Sequence, residues 1–149
     1  MEKIIEKNPF CSAMAGIKTL HYIDKDSITS MNPYGEGWNI VLGNGKSWCR
    51  IQFSACKAET QDEGSMYRHT VEAAIPAKGG MSARDLMELQ QGRYVVKVID
   101  YNGNEWLVGD KACPMRLTVT DENGGTPDGE TAYTLTFSGL SVWPQMILV

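Results

Sequence analysis

Polar and apolar positions alternate along much of the chain. Met115, Leu117 and Val119 share one side of a strand, with Arg116, Thr118 and Thr120 on the other. Tyr133, Leu135 and Phe137 repeat this against Thr134, Thr136 and Ser138. A period of two predicts strands with one face on a core and one in water. Tyr67, His69, Val71, Ala73 and Ile75 alternate with Arg68, Thr70 and Glu72, which predicts another half-buried strand. Trp38, Ile40 and Leu42 precede Gly43-Asn44-Gly45-Lys46, and Cys49, Ile51, Phe53 and Ala55 follow it, so the two runs read as a hairpin. A looser run, Gly16 to Ile23, reads as a first strand. Ser30 to Gly35 and Lys57 to Ser65 read as loops from their turn-forming and polar residues.

The stretch from Tyr94 to Lys111 departs from the one-sided pattern, because both its faces are apolar. A two-residue turn at Asn102-Gly103 would pair Val98 with Leu107, Ile99 with Trp106 and Asp100 with Glu105. Val96, Val98 and Leu107 then serve the core, and Val95, Ile99, Trp106 and Val108 point away from it. That second face needs a cover, either a helix or another subunit. Ser82 as a cap and Asp85 in the first turn predict one short helix over residues 82–91, ending near Gly92. The expected fold is mainly β, an antiparallel β-sandwich or small barrel with that single helix.

A chain of 149 residues is expected to form one β-rich domain. Its 42% hydrophobic and 21% charged content is that of a folded chain. The net charge of -4 disfavours dedicated nucleic-acid binding, since no excess of basic side chains attracts phosphates. No run approaches membrane-spanning length, and the N-terminal residues lack the apolar stretch of a secretory signal. Cys11, Cys49, Cys56 and Cys113 form no C-x-x-C pair and read as reduced, mostly buried thiols.

The chemical signatures fail on spacing. Neither His21 nor His69 stands in a metal-binding pattern, and His69 on an apolar face reads as a satisfied buried histidine. Gly43-Asn44-Gly45-Lys46-Ser47 ends like a phosphate loop, but the first glycine of that motif would fall on Trp38 and a strand follows where a helix is required. Asp100 and Glu105 at a hairpin tip read as solvated carboxylates. An EF-hand from Asp121 would need glycine and glutamate where Thr126 and Ala132 stand. A looser calcium site through Asp121, Asn123 and Asp128 stays open. The expectation is a non-enzyme without cofactor or small-molecule substrate. Residues 121–131, which lack any apolar side chain, read as a long mobile loop suited to contacts. Trp38, Trp48, Trp106 and Trp143 keep a carbohydrate- or adhesin-type binding module as the alternative.

The run from Arg93 to Leu148 resembles virion proteins of tailed phages and prophages, of the tail tube and tail-associated group. The likeness lies in Asp-x-Asn-Gly-x-x-Trp-Leu-x-Gly-Asp at Asp100 to Asp110, in Gly-Gly-Thr-Pro, and in Tyr-Thr-Leu-Thr-Phe-Ser-Gly at Tyr133 to Gly139. The resemblance implies a non-enzymatic structural subunit that self-assembles with other virion proteins, first in the bacterial cytoplasm and then in the particle. It brings no catalytic residues. Joined with the two-sided hairpin and the polar loop, it makes Val95, Ile99, Trp106, Val108, Asp121, Asn123, Thr126 and Asp128 the expected assembly interface.

Overall fold

The computed structural model describes residues 13–14, 16–34, 37–76, 83–121, 132–143 and 146–148. The strands are β1 (Ala13–Met14), β2 (Ile17–Asp24), β3 (Ile28–Tyr34), β4 (Gly37–Leu42), β5 (Cys49–Ile51) and β6 (Ala55–Asp62). They continue as β7 (Tyr67–Pro76), β8 (Arg93–Asp100), β9 (Glu105–Val108), β10 (Met115–Asp121), β11 (Ala132–Ser141) and β12 (Met146–Leu148). The helix α1 is Ala83–Leu89, and position 82, the expected cap, lies outside the described residues. The antiparallel β class with one short helix is as the alternation indicates.

Strands β1-β6-β7-β11-β10 form one layer, and β5-β2-β8-β9 form the second. Between them lies the main core, centred on Leu20, Val71, Val96, Val98, Met115, Leu135 and Phe137. Helix α1 adds Leu86 to this core, and Tyr94 Oη donates to the Leu89 carbonyl at its last turn (2.7 Å). The β10–β11 hairpin pairs Leu117 with Phe137 and Val119 with Leu135, so its inward and outward sets match the period-two pattern.

Three local readings are corrected. The runs 38–42 and 49–55 do not pair with each other. β4 pairs backward with β3, from Ile28–Leu42 to Tyr34–Gly37, while β5 pairs with β2. Alternation tells which side chains share a face but is silent on the partner strand. Ser30 to Tyr34 belongs to β3, whose place at the end of the sheet tolerates Pro33, a residue without an amide donor. Lys57 to Asp62 belongs to β6, where Ala58 and Thr60 are buried between outward Lys57, Glu59 and Gln61.

The β8–β9 register is also one residue from that of a two-residue turn: Val98 pairs with Trp106 and Ile99 with Glu105. Asp100 is the cause. Its Oδ1 accepts the amides of Asn102 and Asn104 (both 2.9 Å), which rounds the turn one residue wider, with Gly103 at φ 88°. A one-residue slip exchanges the faces of a strand. Trp106 and Val108 therefore join Val96 and Val98 on the main-core side, and Leu107 turns to the other face with Val95.

That other face is covered by the chain itself. From β9 the sheet continues through β12 to β4 and β3 and curls over β2 and β8. Ile28 and Trp38 of this ribbon close on Ile23, Val95 and Leu107, with Met31, Ile40, Leu42 and Trp48 around them. Lys111 Nζ fastens the turn into β3 by donating to the carbonyls of Lys25 (2.9 Å) and Ile28 (2.7 Å). Neither the helix nor a second subunit is the cover.

Candidate functional site

The expected assembly residues do not form one surface. Val95 and Val108 are wholly buried, in the second and the main core respectively. Trp106 is half-buried against the main core, and its Nε1 donates to Asp100 Oδ2 (3.2 Å). Ile99 is half-buried on the ribbon side. The register slip at Asp100 thus removes Trp106 and Val108 as outward contacts, and the ribbon covers Val95. Asp121 ends β10 with its backbone opposite Tyr133, while Asn123, Thr126 and Asp128 lie outside the described residues.

A buried polar chain runs where the last strand closes. His69 is fully buried, with Nδ1 3.0 Å from Thr60 Oγ1 and Nε2 3.0 Å from the Trp143 carbonyl. A carbonyl can only accept, so Nε2 carries the proton and Nδ1 accepts from the threonine hydroxyl. Ser141 Oγ donates to Asp110 Oδ1 (3.4 Å) and accepts the Trp143 amide (3.0 Å). Serine, histidine and aspartate thus come near one another without the relay of a hydrolase: the serine proton goes to the carboxylate, and the imidazole is engaged by a threonine and a main-chain oxygen. This arrangement anchors residues 141–143 and sets Trp143 edge-on against Trp38, with ring centroids 5.5 Å apart. The alternation pointed to a satisfied His69, but Asp110, Ser141 and Thr60 gave no signal, because their meeting depends on strand order.

Both histidines are held below their ordinary value of 6.5. For His69 burial is the cause, partly opposed by the bond to Trp143. For His21 burial leads, followed by the charges of Lys97 and Arg50, with Glu105 opposing. The folded chain therefore binds these protons less readily than the unfolded chain. Their stabilisation is full above about 6.5 and is lost as pH falls through each lowered pKa. Burial raises Asp110 against the amides of Cys113 and Ala112 and the Ser141 hydroxyl, so its contribution has the opposite sign: full below 3.8 and lost as pH rises through its folded pKa. The melting temperature is expected to fall between about pH 7.5 and about pH 5, and the variant His21→Gln/His69→Gln to show a flatter profile there. An unchanged slope in that variant would assign the acid sensitivity to carboxylates.

The described cysteines Cys49, Cys56 and Cys113 are free. Cys49 is exposed and Cys56 and Cys113 are half-buried, contrary to the expectation of mostly buried thiols, while partial burial pushes the Cys56 thiol up to about 12. Among the described residues no group of three or more His, Cys, Asp or Glu side chains could hold a metal. No helix among them is long and apolar enough to cross a membrane.

The broadest feature is the outer face of β6-β7-β11-β10. Registers place Glu59, Thr70, Ser138 and Arg116 in one row across the four strands. The next row holds Lys57, Glu72, Thr136 and Thr118, and the third Ala55, Ala74, Thr134 and Thr120. Short hydroxyl and methyl groups, with Glu72 among them, fill its middle. A shallow hollow of about 230 Å³ opens where the alanines lie, beside the Lys57–Glu72 ion pair (3.6 Å). The sequence pattern identified the wet sides of β7, β10 and β11; the extension across β6 was hidden by reading Lys57 to Ser65 as a loop. Comparison with protein-family models, curated proteins and solved structures finds no match.

Proposed function

We propose that this chain is a non-catalytic structural subunit that works by associating with copies of itself and with other proteins of a phage or prophage particle. One observation carries the reading: the four-stranded outer face, where the short side chains of Thr70, Ser138, Thr136, Ala74 and Thr134 stand in register on the two inner strands beside Glu72, which is paired with Lys57. Side chains of this kind lose little rotamer freedom when covered, and a regular pleated surface packs against another at about 10 Å. The likeness of Arg93 to Leu148 to tailed-phage virion proteins supports the choice of particle.

Sedimentation equilibrium of the full chain over a concentration series tests it, with thiols kept reduced. Mass rising reversibly with concentration is the expected result. A monomer throughout, alone and with candidate partner proteins, would remove the reading.

A carbohydrate-binding module is the second reading, favoured by the hollow at Ala55, Ala74 and Thr134 and by Trp143. Trp38 is buried, and Trp48 and Trp106 are half-buried against the cores, which leaves Trp143 as the described tryptophan with an open ring. Retention on a glycan array that Trp143→Ala abolishes would favour this reading over assembly.

A further inference from the structure

The first row of the outer face is charged at its ends and neutral in its middle. Glu59 lies on β6 and Arg116 on β10, with Thr70 and Ser138 between them. Arg93 of β8 follows Arg116 in register and adds a second cation to the same end. Both Glu59 and Arg116 are exposed. With strands about 4.8 Å apart, their backbones stand about 14 Å from each other, beyond reach of a direct ion pair across the small residues between. The remaining charges of the face are already matched. Lys57 pairs with Glu72 (3.6 Å), and Arg68 with Glu63 (2.8 Å).

We propose that this face docks on the same face of a second copy of the chain, related by a two-fold axis that runs along the strands between β7 and β11. This rests on the assembly reading above and names the contact. Such a rotation lays β6 of one copy over β10 of the other and keeps each row over itself. Glu59 then meets the partner's Arg116, and the reverse pair forms by symmetry, as an isologous contact requires. Thr70 meets the partner's Ser138, and Glu72 meets the partner's Thr136. Ala74 meets the partner's Thr134, so in these three rows no two large side chains oppose each other on the inner strands, and in the fourth row Arg68 meets the partner's Leu140. Stacked twisted sheets cross at about 30°, which leaves the centre in contact while the corners diverge.

The face has four strands, at about 4.8 Å each, and four rows, counting Gln61, Arg68 and Leu140, at about 6.8 Å each. Two copies would therefore bury about 1,000 Å² in total, at the lower edge of specific interfaces. A weak, reversible dimer follows, and one that salt weakens, because its outer pairs are solvent-accessible.

The test is sedimentation equilibrium of the full chain and of Glu59→Arg, Arg116→Glu and the double exchange Glu59→Arg/Arg116→Glu, at low and at high salt. Each single variant places like charges against each other and is expected to weaken association by about tenfold or more. The double exchange is expected to restore it to within about threefold. Restoration cannot arise inside one chain, because the two residues do not reach each other. Thr136→Lys, which fills the centre of the face, is expected to abolish the dimer while the circular dichroism stays that of the parent. Association that persists unchanged in all four variants would overturn this contact and leave the assembly reading standing. Single variants that weaken it without rescue by the double exchange would reject the pairing. A parent chain that stays monomeric throughout would overturn this contact, and would overturn the assembly reading as well where it also fails to bind the candidate partner proteins.

Discussion

Phe137→Ala is expected to lower the stability of the folded chain by about 3–5 kcal/mol. Phe137 is 0% exposed and belongs to β11, yet its ring meets residues of the opposite layer. Tyr22 of β2 lies 6.2 Å away in a tilted arrangement, and Tyr94 of β8 lies 6.0 Å away, edge-on at 88°. Tyr22 and Tyr94 also meet each other edge-on at 5.3 Å. The three rings therefore join the two layers of the sandwich at one point. The cost exceeds the transfer of the lost atoms, because the strands around the site are fixed by their ladders and cannot close on the cavity. β11 is paired over its length with β7 and along much of it with β10. Urea denaturation followed by fluorescence and circular dichroism measures the effect. The midpoint should move to lower urea with an unchanged slope, as for a loss of native packing without a change in the surface exposed. A loss under about 1.5 kcal/mol would mean that Tyr22 and Tyr94 repack into the space, and that the core is less rigid than its ladders imply.

The layers of this fold were legible in the sequence where alternation was regular, and the pairings were not. β7, β10 and β11 carry a clean period of two, and their inward residues are those the pattern selects. β4 and β5 carry one as well, but nothing in Trp38 to Ala55 tells that β4 turns back to β3 while β5 crosses to β2. The hairpin at Asp100 shows how one side chain redirects others. Two amides bound by its carboxylate widen the turn, β9 slips by one residue, and Trp106 exchanges places with Leu107. The need for a cover over the hairpin's second face was correctly read from its two apolar sides. What supplies it was not, because Ser30 to Tyr34, the strand that forms the ribbon with β4, is written in polar and turn-forming residues. The rows of the outer face were half visible as alternating threonines. Their continuation required β6, whose buried Ala58 and Thr60 are too small or too polar to announce a strand.

Two buried clusters are present, and Trp38→Ala tests how far the one under the ribbon is energetically separate from the main core. Trp38 is 3% exposed and sits between the second core and Trp143. Removing an indole from such a site costs about 3–5 kcal/mol where the whole fold must respond. The ribbon need not carry the whole fold with it. It is held to the sandwich by the short β12, by Lys111 at the turn before β3, and by its few buried side chains, whereas the main core is closed by long ladders on both layers. Local opening of β3 and β4 is therefore expected before global unfolding. Hydrogen exchange should show the amides of Ile28–Tyr34 and Gly37–Leu42 losing protection in the variant, while those of β7 and β11 keep it. Equal loss in all four strands would mean that the two cores form a single cooperative unit. In the expected case, opening bares Ile23, Val95 and Leu107, an apolar surface that water does not tolerate and that the native chain covers for itself. The variant should then bind a hydrophobic dye and associate through this face, in a manner insensitive to Glu59→Arg. The native contact at the outer face, sensitive to that exchange, is distinguishable from it by this single comparison.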